Sequence, residues 1–126
     1  MDVLKLFIPV FLGGGLGAVI RFSISVLVVN NFKGFLPVAT LFANVLALII
    51  MGLAVYYAES KMDSFPWLRA FVLIGFCGGL STFSTFSFET VLLLKGYHWG
   101  YALANVTVSV VLGALIIYPF VRTLSK

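Results

Sequence analysis

The chain has 126 residues, 62% of them hydrophobic and 10% charged, where a soluble domain carries roughly a quarter charged residues. A soluble fold of this length buries only about two thirds of its surface and would leave large apolar patches in water, so lipid is the solvent this composition fits. The net charge of +4 comes from eight scattered Lys and Arg, which argues against a nucleic-acid surface.

The length allows one domain, 1–126. Four apolar segments meet the roughly 20 residues that a hydrocarbon core about 30 Å thick asks of a helix. The first, 6–29, follows Lys5 and stops at Asn30, Asn31 and Lys33. It is far longer than a signal-peptide core and has no small-residue cleavage site behind it, so it reads as a retained span. The second, 37–58, opens on Pro37, suited to a first turn because its missing N–H would be unpaired there. Glu59, Ser60, Lys61, Asp63 and Ser64 are expected to form a loop. The third span, 67–94, and the fourth, 99–121, follow, with Arg122 and Lys126 closing the chain.

Tyr56, Tyr57, Trp67, Tyr97, Trp99 and Tyr101 fall at span ends with His98 among them, where amphipathic rings prefer the headgroup layer. Four spans put both termini on one side. Lys5, Lys61, Arg69, Arg122 and Lys126 share that face against Lys33 and Lys95 opposite, which leans towards cytoplasmic termini. Cys77, the only cysteine, lies in an apolar run and reads as a packing residue with no intramolecular disulfide. The fold class is an all-α membrane protein, a bundle of four transmembrane helices.

Polar groups inside the spans carry the information, because hydrocarbon makes each one costly. Arg21 lies about eight residues, roughly 12 Å, from the end of the first span. Either its long stem anchors it at the interface or its charge draws anions into a vestibule. Upstream, Gly13 and Gly17 form a GxxxG pair that lets another helix approach closely. Thr40 and Asn44 share a face of the second span, where the Asn44 amide can act as interhelical glue or donate to a ligand. Asn105, Ser109 and Gly113 form a stripe at i, i+4, i+8 that could line a polar path, while Thr107 points elsewhere.

The third span holds the strongest signal, Gly78-Gly79-Leu80-Ser81-Thr82-Phe83-Ser84-Thr85-Phe86-Ser87. Adjacent glycines and a run of hydroxyls make a poor continuous helix, which predicts a break at membrane depth. Such breaks survive where protein or a wet cavity satisfies the freed backbone, and freed carbonyls can coordinate a cation. Beyond the break Phe83 and Phe86 share a helical face, interleaved with Ser84, Thr85 and Ser87. A phenyl ring has a positive edge, so edge-on rings can favour an anion while hydroxyls replace its water; plain packing is the other reading. Glu89, the only acid well inside a span, reads as serving structure or gating, with proton coupling the other reading.

The segment GGLSTFSTF, from Gly78 to Phe86, resembles the hallmark GGxxTFSTF of the Fluc (CrcB) family of fluoride channels. Gly17, Ala18 and Arg21 in the first span, the Thr40 to Asn44 segment and four spans over nearly the whole chain support the resemblance. It implies a passive fluoride channel of a bacterial inner membrane, surrounded by lipid, which exports cytoplasmic fluoride and lowers its toxicity. It also implies an antiparallel dual-topology homodimer with two pores and a central structural sodium ion at the helix break. On the matching positions, Phe83 and Phe86 become a phenylalanine box, Asn44 a pore donor and Arg21 a vestibule charge. Gly78 and Ser81 become the backbone-carbonyl donors to sodium; Ser84, Thr85, Asn105 and Ser109 join the pore lining, and Glu89 lies near its end in a gating position.

The five-to-two basic count sits awkwardly with dual topology. Nothing in the chain resembles a nucleotide loop, a metal-ligand cluster or a catalytic triad, so no enzyme activity is expected. A small multidrug exporter of similar size would want an acid central in its first span, where this chain has Arg21. A purely structural subunit would have no use for a hydroxyl-rich broken helix.

Overall fold

The computed structural model describes residues 3–33 and 37–124, without the side chains at 58–61, 123 and 124. Lys126 and the side chains of Glu59, Ser60 and Lys61, invoked above, lie outside the described set. The chain forms α1 (Leu4–Asn31) and α2 (Val38–Ser64), then a segmented third span. That span starts as α3 (Pro66–Arg69), continues through a π-helical stretch (Ala70–Cys77) and the short α4 (Gly78–Leu80), and resumes as α5 (Phe83–Lys95). It is followed by α6 (Trp99–Leu124). Among the described residues four helical segments are long and apolar enough to cross a membrane.

The expected loop at Glu59 to Ser64 is instead the last turns of α2. Glu and Lys are good helix formers, so polarity alone does not end a helix. The stop is Pro66, which drives the residue before it out of the α region. Phe65 accordingly sits at φ −126°, ψ 79°, and Pro66 opens the next helix. The α5–α6 corner turns on Tyr97 at φ 60°, a left-handed position more often filled by glycine. The His98 N–H donates to the Leu93 carbonyl at 2.9 Å and the Tyr97 N–H to that of Leu94 at 3.1 Å, the paired bonds that close a helix C-terminus.

Small residues make much of the interior, with Met62, Leu80 and Leu93 the larger side chains buried among the described residues. Ala43, Ala47, Ala70, Cys77 and Ala102 are buried, while Phe7, Phe11, Val19 and Leu115 point outward, the distribution expected where lipid replaces water outside and helices associate by close packing. A Cβ on Gly17 would strike the Phe76 carbonyl oxygen, and one on Gly79 that of Gly14. These glycines therefore let α1 and the third span meet backbone to backbone.

The break falls within the expected segment, but at its hydroxyl residues and not at its glycines. Gly78 is helical at φ −66°, ψ −35°, and both glycines belong to α4. Helix is lost beyond them, at Ser81 (φ −78°, ψ 156°) and Thr82 (φ −151°, ψ 119°).

Candidate functional site

A break inside a membrane span frees N–H and C=O groups that must find partners within the protein. Three side-chain devices meet this need. Thr82 is the N-cap of α5: its Oγ1 accepts the Thr85 N–H at 3.2 Å and donates to Thr85 Oγ1 at 3.0 Å. Asn44, from α2, holds the Thr82 peptide from both ends. Its Oδ1 accepts the Thr82 N–H at 2.7 Å and its Nδ2 donates to the Thr82 carbonyl at 3.3 Å. From α1, Arg21 Nε donates to the Gly79 carbonyl at 3.1 Å. On the helical side the Ser81 N–H still reaches the Cys77 carbonyl at 2.9 Å.

Beside the break lies an open groove of about 330 Å³, walled by Asn44, Ser81, Thr82, Phe83, Phe86 and Ser109, with Leu41, Val45, Leu48 and Val110 as its apolar sides. Five residues singled out in the sequence thus meet in one place: Asn44, Ser81, Phe83, Phe86 and Ser109. The two rings lie 6.1 Å apart, centroid to centroid, tilted by 38°. Phe83 is 81% exposed and Phe86 half-buried.

The other sequence candidates lie outside this groove. Thr85 bonds the Thr82 hydroxyl, and Ser84 Oγ lies 3.4 Å from the same oxygen. Asn105 is 5% exposed and borders a second cavity, about 80 Å³, with Pro37, Val38, Leu41, Ala104 and Val108. Its Nδ2 donates to Thr90 Oγ1 at 2.9 Å, and Thr90 in turn donates to the Phe86 carbonyl at 2.8 Å. Glu89 Oε1 accepts from Thr40 Oγ1 at 2.8 Å, with Thr40 only 6% exposed. Glu89 Oε2 is buried and has no hydrogen-bond partner among the described residues. Gly78 is exposed, and an added Cβ there would meet nothing within 4 Å.

Two residues carry more than the sequence reading gave them. Thr82 had a usable signal, a hydroxyl residue directly before a helical apolar pattern, which is how N-caps are recognised. Thr90 had none beyond the habit of mid-helix threonines to bond the carbonyl four residues back.

The family profile described as CrcB-like protein, Camphor Resistance (CrcB) matches residues 8–119. The protein called Fluoride-specific ion channel FluC from Salmonella arizonae is 39% identical over 107 residues, 85% of this chain and 84% of that protein. The proteins of the same name from Salmonella paratyphi B and Salmonella newport give the same identity and coverage. With the GGLSTFSTF segment forming the break and one wall of the groove, and with similarity extending across all four spans, the chain belongs to the CrcB (FluC) family of fluoride channels.

Proposed function

We propose that the chain is a fluoride-selective passive channel that lets the anion leave the cytoplasm and so lowers its toxicity. The observation that carries this reading is the meeting of Asn44, Phe83, Phe86 and Ser109 in one groove, in a chain 39% identical to proteins named as fluoride-specific channels. Fluoride sheds water there for hydroxyl and amide donors and for the positive edges of the two rings. Arg21 supplies positive potential, Ser84, Thr85 and Asn105 extend the polar path, and Glu89 with its free oxygen gates it. Hydrogen fluoride enters a cell as a neutral acid and dissociates inside. A membrane potential negative inside then drives the anion out with no coupled ion.

The working form is an antiparallel homodimer with two pores in a bacterial inner membrane. Support comes from the incompleteness of the single chain: the groove is open and Phe83 is mostly exposed beside it. A sodium ion fits the break. The Thr82 N–H, which would serve the Gly78 carbonyl in an unbroken helix, goes to Asn44 instead. The Gly78 flank is open to a neighbour. The Gly78 and Ser81 carbonyls of one chain supply only two oxygen ligands, too few for a cation stripped of water, so carbonyls of both subunits hold the ion and it ties them together.

Expression in cells made sensitive to fluoride tests the reading: tolerance of the anion should rise markedly, and unchanged tolerance at normal membrane expression would overturn it. A cysteine in place of Lys61 should be labelled from both sides of intact cells. Labelling from one side only would leave a fixed orientation.

A further inference from the structure

We infer that Arg21 is a positioning residue for the helix break: its Nε–H replaces the backbone donor that the Gly79 carbonyl loses there. In an unbroken helix that carbonyl accepts from the N–H four residues on, that of Phe83. Extended Ser81 and Thr82 carry Phe83 out of reach, and Arg21 Nε stands in at 3.1 Å.

The delivery of this donor is written into α1. Arg21 lies one turn beyond Gly17, on the face whose backbone rests against Phe76, Gly79 and Leu80 so closely that no Cβ fits at Gly17. The stem of Arg21 therefore starts beside α4 and has only to reach along it. With Asn44 holding Thr82 from α2, the break is gripped on its N-terminal side by α1 and on its C-terminal side by α2. A charged donor in low-dielectric surroundings makes a bond about twice as strong as a neutral one. An arginine this deep in a span has a cost that such a bond offsets. The inference deepens the channel reading, on which its transport consequence rests: Ser81 and Phe83, the residues shaped by the break, border the groove.

Three substitutions separate the donor from the charge. In Arg21→Gln the amide nitrogen is bonded to Cδ, as Nε is in arginine, so it offers an N–H at the same point without the charge. Arg21→Lys keeps the charge but puts a methylene at that point. Arg21→Met removes both. The readouts are hydrogen–deuterium exchange of the 78–86 segment in the purified full chain, and fluoride efflux from liposomes holding it. A brace predicts exchange faster by about tenfold in Arg21→Lys and Arg21→Met but by less than about threefold in Arg21→Gln, while efflux, which also senses the lost charge, falls in all three. If Met does not fold, Gln against Lys decides. A lysine variant like the wild type with a glutamine variant like Met would overturn the inference in favour of charge alone, and so would unchanged exchange in every variant. A wild-type protein that passes no fluoride yet shows the exchange pattern would remove the channel reading and leave the brace in place.

Discussion

Asn44 and the Thr82 peptide form a closed pair, with Oδ1 accepting the N–H at 2.7 Å and Nδ2 donating to the carbonyl at 3.3 Å across 38 residues of sequence. The amide does for one extended residue what a neighbouring strand would do in a sheet, and this permits an interruption at membrane depth. Asn44→Leu keeps the bulk and strips both bonds, leaving a peptide unpaired. The expected loss is about 1–2 kcal/mol, read as a lower thermal midpoint in detergent. Asn44→Asp keeps the acceptor but adds a negative charge to the groove wall, so fluoride flux should fall further than stability. An unchanged midpoint in the leucine variant would show that the pair bears no load.

Ser81 tests the break from inside. Its φ of −78° suits proline, but its N–H donates to the Cys77 carbonyl and its predecessor Leu80 is helical. Proline removes that donor and disfavours helix at the residue before it. Ser81→Pro should therefore distort α4 and abolish flux, while Ser81→Ala, which preserves the main chain that would hold sodium, should pass fluoride nearly normally. A conducting proline variant would contradict the account.

The glycine face of α1 gives a paired test. A Cβ at Gly17 would strike backbone of the third span, whereas at Gly15 it meets nothing within 4 Å. Gly17→Ala should cost about 1–3 kcal/mol, because the obstacle is main chain and cannot rotate away. Gly15→Ala should be neutral or slightly stabilising within a helix. Thermal unfolding of the two variants decides, and equal midpoints would mean that the spans separate without penalty.

Phe83 and Phe86 both border the groove, so their replacements should act alike on transport. Within one chain Phe83 is exposed and Phe86 half-buried, so Phe86→Ile should lower the thermal midpoint, and Phe83→Ile should lower it only if a second copy covers that ring. Each removes a ring quadrupole from the groove, and each should cut fluoride flux about tenfold, or about 1.4 kcal/mol in the barrier. Folded variants with undiminished flux would remove the rings from the mechanism.

The four spans and the hydroxyl-phenylalanine segment were legible in the sequence because they are written locally, in apolar runs and one contiguous motif. The exact site of the break was not. Gly78 and Gly79 drew attention to themselves, yet they are helical, and helix is lost where Asn44, far away in the chain, claims the Thr82 N–H. Nothing local in Ala70–Cys77 announces its wider turn, which lies where Gly75 meets Val10 and Gly13 of α1. The charged stretch before Pro66 looked like a loop because it is polar, although its residues favour helix until proline intervenes. Asn44, Phe83, Phe86 and Ser109 could be named as candidates, but only the packing of α2, α5 and α6 brings them to one groove.

The central claim is selective passage of fluoride, and efflux from liposomes holding the purified chain measures it most directly. With equal gradients of fluoride and chloride and a potassium ionophore to balance charge, fluoride should leave rapidly and chloride hardly at all, because donors and ring edges spaced for a small anion fit the larger one badly. Equal release of the two anions, or release of neither from folded protein, would contradict the account.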